Sequence, residues 1–193
     1  RDTDRSRGLG DVYKRQYTNC TFPNGVCNNQ YGKTVFDRCQ FTNATSGKFN
    51  LWNYGGNTEV KGSTFIGTRG IKMYNEGTLP NPPSIEIKNT NFTGMTEKAA
   101  IVVSKAANVT LNTVGATDCT MGLLQKDIEG STDEQKVTIE ANGTGISGDF
   151  NITAQKDAEA AKNEFNITAG TFAGEINNDY LAPGANFDAT TGE

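Results

Sequence analysis

Six short stretches decide the reading: Tyr17-Thr-Asn-Cys-Thr-Phe22, Phe36-Asp-Arg-Cys-Gln-Phe41, Val60-Lys-Gly-Ser-Thr-Phe65, Ile87-Lys-Asn-Thr-Asn-Phe92, Val109-Thr-Leu-Asn-Thr-Val114 and Ile167-Thr-Ala-Gly-Thr-Phe172. Each opens and closes on an apolar residue, five positions apart, with mostly small or polar residues between. The closing residues of the first five are separated by 19, 24, 27 and 22 residues. That spacing belongs to structural repeats of 20 to 50 residues and is far from a helical heptad. The longer gap before Phe172 leaves room for two further units.

Residues five apart on a flat strand point to opposite faces, so a bend must intervene if both apolar ends are to face inward. Asn19, Gly62, Asn89 and, one position shifted, Asn112 sit where that bend is needed. Asn and Gly tolerate left-handed dihedrals. A second apolar patch follows each motif, at Phe49 and Leu51, Ile71 and Met73, Ile101 and Val103, and Leu123. Strand, bend, strand, turn, strand therefore makes one rung of a solenoid.

Composition agrees. The chain has 193 residues, 22 of them glycine, and a hydrophobic fraction of 35%. Leu, Ile, Val and Phe supply only about a fifth of the residues, but a net charge of −4 is too small for a disordered chain, so a thin, regular core is expected. No stretch of about 18 apolar residues is present, and the mild acidity argues against nucleic acid. There is no histidine. Its absence removes the commonest general base, the usual zinc ligand and every Ser-His or Cys-His nucleophile.

The repeat resembles the right-handed parallel β-helix repeats of bacterial surface proteins, best over Tyr17 to Met121. The stretch Ile167 to Phe172 together with Asp179-Tyr-Leu-Ala-Pro-Gly184 is similar to the ending of repeat units in surface proteins of gut Firmicutes. The resemblance implies an all-β solenoid of about six to eight coils and an extracellular or cell-surface setting. Two segments depart from it. Gln125 to Lys136 is charged and poor in apolar residues, and Gln155 to Glu164 has helical composition; both are expected to be loop or helical insertions.

Arg1 to Gln16 holds four of the six arginines and differs in composition from the rest of the chain. It resembles the translated sequencing-adapter peptide that contaminates reading frames in metagenome assemblies. The expected organisation is a non-native leader at 1–16, a solenoid at 17–174, and a tail or linker at 175–193. A solenoid must blunt its open ends, and no N-terminal cap is evident ahead of Tyr17.

Several residue groups are candidates for chemistry. Cys20 and Cys39 hold the same motif position in successive units, about one strand spacing apart, which suits either a disulfide or a ladder of inward thiols. Cys27 is an alternative partner for Cys20, and Cys119 stands alone. Without histidine or a CxxC motif, no metal site and no cofactor are implied. Asp127, Glu129, Asp133 and Glu134 cluster in sequence, and paired acids can hydrolyse glycosides. β-helix polygalacturonases carry a histidine motif absent here, and pectate lyases need a catalytic arginine, for which only Arg38 and Arg69 remain outside the leader. The Asn-x-Thr sequons at Asn43, Asn91, Asn108, Asn151 and Asn166 read as strand-and-turn composition. Trp52 and Tyr54 alternate outward if Phe49 and Leu51 face in, and Tyr74 falls on the next coil. Such an aromatic patch suits glycan stacking, or packing beneath the Pro80 to Pro83 segment. The expected function is a non-catalytic adhesin-like surface module with glycans or host-surface molecules as partners. The alternatives are a fragment of a β-helix carbohydrate-active enzyme and a purely structural stalk.

Overall fold

The computed structural model describes residues 14–28, 32–74, 83–104, 107–119, 124–127, 137–148, 152–153, 164–168, 170 and 178–191. Every strand pairing among them is parallel. The chain is a parallel β-solenoid with three walls. The first wall stacks β1 (Lys14–Thr18), β4 (Lys33–Asp37) and β7 (Asn57–Lys61); the second stacks β2 (Thr21–Phe22), β5 (Gln40–Phe41) and β8 (Thr64–Ile66). The third stacks β3 (Val26–Asn28), β6 (Leu51–Asn53) and β9 (Ile71–Tyr74), and continues through β11 (Ile101–Ser104), β13 (Leu124–Asp127) and β15 (Ile152–Thr153).

Coils with three separate strands number about three, fewer than the six to eight expected. From β10 (Ser84–Thr93) onward the first two walls run as one long strand through the bend. The ladder then passes to β12 (Ala107–Thr117), β14 (Val137–Gly148) and β16 (Glu164–Ile167).

The bend is a stack of left-handed residues: Asn19 (φ 54), Arg38 (φ 53), Gly62 (φ 57), Asn89 (φ 47) and Thr113 (φ 58). Asn19, Gly62 and Asn89 stand where the sequence places them. In the fifth unit the bend lies on Thr113 and not on Asn112. Register explains the shift, because Ile87 pairs with Leu111 and Phe92 with Ala116. The fifth copy of the motif therefore runs from Leu111 to Ala116, two residues later than the apolar pattern suggests. Val109 and Val114 are buried too, since a shift of two preserves the face.

Both ends of the first five motifs point inward or pack against the core, and the closing phenylalanines of the first four form a ladder of rings. Phe22 stacks on Phe41 with centroids 5.0 Å apart, Phe41 on Phe65 at 4.3 Å, and Phe65 on Phe92 at 4.8 Å. Tyr17 and Phe36 make a shorter stack beside it at 5.2 Å. Where the third wall turns back to the first, the interior is polar. Asn28 donates to Asn53 Oδ1 at 2.7 Å and to Thr58 Oγ1 at 3.2 Å, and the Thr58 hydroxyl donates to Asn53 Oδ1 at 2.9 Å. Thr34 closes the network by donating to Asn28 Oδ1. These groups satisfy one another, which is what makes their burial tolerable.

At the far end, Leu181 bridges to Ile167, the Ala182 amide donates to the Ile167 carbonyl at 2.9 Å, and Tyr180, Leu181 and Phe187 pack on the core. A single 3-10 turn, Asn178–Tyr180, leads into this contact. At the near end, Lys14, Arg15 and Gln16 of the basic leader pair along β4 with exposed side chains. Residues 1–13, where the rest of the leader falls, lie outside the described residues, and so do Leu123, Phe172 and both expected insertions except Gln125 to Asp127 in β13 and Glu164 in β16.

Candidate functional site

The outer face of the third wall is built by simple alternation. Leu51, Asn53, Ile71 and Met73 are buried, so Trp52, Lys72 and their neighbours at even spacing point outward. Register sets Cys27 beside Trp52, Trp52 beside Lys72, and Lys72 beside Val102. The neighbour of Trp52 on the next coil is thus Lys72, and Tyr74 stands one step along, against Tyr54.

Trp52, Tyr54 and Tyr74 form one half-buried cluster. Trp52 and Tyr54 stack with centroids 5.2 Å apart and planes 12° from parallel, and Tyr74 meets Tyr54 edge-on at 5.4 Å. The Lys72 ammonium lies 5.3 Å from the Trp52 centroid and 5.7 Å from that of Tyr74, within cation–π range. The rings thus spend part of their faces on each other and on Lys72, and the cluster is not an open flat platform. The Trp52 indole Nε1 is buried and meets no hydrogen-bond acceptor among the described residues.

Phe49, expected to face inward, is half-buried on the outer side. Arg69 lies 5.6 Å and Lys72 5.9 Å from its ring centroid. The inward place is taken by Asn50, whose Oδ1 accepts from the Asn43 amide at 2.7 Å and whose Nδ2 donates to the carbonyls of Ile66 and Arg69. A polar residue in the core wall is a poor sequence signal, which is why the apolar pattern puts Phe49 inside. Lys72 is legible in principle, because it lies between two apolar residues that must both face in.

Beside this cluster Glu97, between β10 and β11, ties its own coil to the two before it. One oxygen accepts from Arg69 Nε at 2.8 Å and from the Gly47 amide at 3.0 Å. The Gly47 amide, the Ser46 side chain and the Arg69 guanidinium lower the Glu97 pKa to about 2. The next residue, Gly70, passes so close to the Ala100 carbonyl oxygen that any β-carbon would overlap it.

Cys20 and Cys39 stand next to each other, immediately ahead of the paired residues Thr21 and Gln40, and all four cysteines are thiols in this structure. Cys20 Sγ donates to the Thr18 carbonyl at 3.5 Å; Cys39 Sγ lies 3.5 Å from the Tyr17 carbonyl and 3.6 Å from that of Asp37. The Ser63 and Thr90 hydroxyls donate hydrogen bonds to the carbonyls of Lys61 and Lys88 in the same way. The thiols thus belong to a longer ladder of small donors just past the left-handed bend. Burial raises the Cys39 pKa. Cys27 is exposed on the third wall, and Cys119 is buried, with its sulfur 3.4 Å from the Thr117 carbonyl.

Of the loop acids, Asp127 lies in β13, and Glu129, Asp133 and Glu134 fall outside the described residues. Both candidate arginines are engaged with acids, Arg38 with Asp37 at 3.3 Å and Arg69 with Glu97. No family model, curated protein or solved structure matches the chain.

Proposed function

We propose that this chain is a non-catalytic module of a secreted or cell-surface protein of the gut Firmicutes type, a β-helix shaft that binds glycans through Trp52, Tyr54 and Tyr74. The observation that carries the reading is the gathering of these three aromatics, half-buried, on the outside of the third wall. The core does not need them there, because Leu51, Ile71, Met73 and Ile101 already fill its side of that wall. Aromatic rings beside polar and cationic groups can contact both the carbon skeleton and the hydroxyls of a sugar.

Probing the full chain against a glycan array, with Trp52→Ala in parallel, tests this. Binding that Trp52→Ala abolishes supports the reading, and binding that it leaves unchanged removes these residues from it. A blank array describes a structural stalk. Release of reducing or unsaturated sugar from a polysaccharide panel would overturn the non-catalytic assignment.

A further inference from the structure

One place in the coil, just past the left-handed bend, holds cysteine in the first two described coils and a hydroxyl in the next two. We propose that Cys20 and Cys39 close into a disulfide under oxidising conditions and so clip the first described coil to the second. Register fixes their juxtaposition from both sides. Thr18 pairs with Asp37 ahead of them and Thr21 with Gln40 after them, and the Gln40 amide donates to the Cys20 carbonyl at 2.8 Å. Parallel neighbours in this register lie about 4.8 Å apart. A disulfide joins residues whose α-carbons are roughly 4.4–6.8 Å apart. The Cys39 sulfur also reaches across to the first coil, 3.5 Å from the Tyr17 carbonyl, while the Cys20 sulfur lies 3.5 Å from the carbonyl of the adjoining Thr18.

The other two cysteines are placed elsewhere. Cys27 alternates outward between Val26, which packs on the core, and the buried Asn28, and it stands beside Trp52 on the third wall. Cys119 is buried two coils further along than Cys39's own neighbour Ser63, with its sulfur 3.9 Å from the Phe92 carbonyl. The clip also falls where it has most to hold. Among the described residues, β1 and β2 are paired along one edge only, to β4 and β5, and a strand paired on one side opens more readily than one held on both. Ser63 and Thr90 fill the same place in coils paired on both sides.

Burial divides the chemistry between the two sulfurs, since Cys20 is partly exposed and Cys39 buried. A small disulfide such as oxidised glutathione is the oxidant. The Cys20 thiolate attacks one of its sulfurs, the glutathione S–S bond breaks, and one glutathione thiolate leaves. The Cys39 thiolate then attacks the Cys20 sulfur and displaces the second. Two protein thiols are oxidised, one glutathione disulfide is reduced to two thiols, and the protons given up by the cysteines pass to the departing thiolates.

Treating the folded full chain with oxidised glutathione tests this. Two of the four thiols should disappear with no glutathione left bound, and digestion without reductant should yield a species linking the segment with Cys20 to that with Cys39. Cys27→Ser should keep that species and Cys20→Ser abolish it. Cys39→Ser should fold, because a serine already fills this place at Ser63, and it should trap a glutathione adduct on Cys20. Amide exchange over Gln16 to Phe22 should slow at least tenfold, a scale of about what closing such a loop contributes. A folded chain that keeps four thiols, carries only glutathione adducts, or links through Cys27 or between two chains overturns the pairing. A Cys20–Cys39 bond that leaves amide exchange unchanged overturns the clip.

Discussion

Asn89 in β10 and Thr113 in β12 occupy the same place in successive coils, and both hold left-handed backbone, at φ 47° and 58°. Asparagine adopts this region readily, whereas a β-branched residue does so under strain. Thr113→Asn should therefore stabilise the solenoid by about 1 kcal/mol, the lower end of the cost of a strained dihedral. The bond from the Thr113 hydroxyl to Asn112 Oδ1 is lost in exchange, but it is exposed and contributes little. A higher urea midpoint with an unchanged slope would bear this out, and a lower midpoint would refute the strain argument.

The phenylalanine ladder should be the most sensitive part of the core. Phe65 stacks on Phe41 and on Phe92 and has no exposed surface. Phe65→Ala opens a cavity in the middle of the stack and should cost about 3–5 kcal/mol. Phe22, half-buried in the first described coil, should cost clearly less. Equilibrium denaturation of the two variants ranks them, and the reverse order would mean that the stack does not govern stability.

Glu97 sets a pH dependence with a definite sign. Its pKa falls from the ordinary 4.5 to about 2 in the folded chain through the Gly47 amide, the Ser46 side chain and Arg69. The stabilisation is thus fully present above about pH 4.5 and is lost as the pH drops toward 2. Glu97→Gln should be less stable than the native chain at pH 6 and indistinguishable from it near pH 2. A stability difference independent of pH would show that the latch acts by packing and not by charge.

Thiol accessibility should follow burial. Cys27 is exposed, Cys20 partly buried, and Cys39 and Cys119 buried, with the Cys39 pKa raised by its surroundings. Since the thiolate is the reacting form, alkylation of the reduced, folded chain should proceed at Cys27 first, Cys20 next, and Cys39 and Cys119 only on unfolding. Peptide mapping after timed alkylation reads the order. Early modification of Cys39 would mean that its coil opens independently.

The inward half of this fold is legible in the sequence because it obeys a rule with one parameter. Phe41, Phe65 and Phe92 recur at near-constant spacing, and Asn or Gly marks most of the bends. Arg38 gives no sign of being a bend residue because nothing in an arginine side chain favours left-handed backbone; its conformation is imposed by the coils on either side. The register of the fifth unit is ambiguous in sequence because Val109, Leu111 and Val114 are all apolar and alternation cannot choose among frames two apart. The outer face is half legible. Alternation places Trp52 and Tyr54 outside, but it does not reveal that Asn50 takes an inward place through hydrogen bonds, or that Lys72 rather than Tyr74 stands beside Trp52.

Trp52 separates the structural from the recognition role of the aromatic cluster. Its indole N–H is buried without an acceptor among the described residues, and a buried donor left unpaired costs about 1–3 kcal/mol. Trp52→Phe removes that donor while keeping a ring opposite Tyr54, so its stability should remain within about 1 kcal/mol of the native chain, as the lost ring area and the lost penalty offset each other. Trp52→Ala also forfeits the stack on Tyr54 and the Lys72 contact, and should be clearly less stable than Trp52→Phe. Because Trp52 is the chain's single tryptophan, its emission reports this site alone in the native protein. A bound polysaccharide at the third wall must therefore shift or quench that emission. Binding detected by another method with no change in tryptophan fluorescence would place the ligand elsewhere on the solenoid.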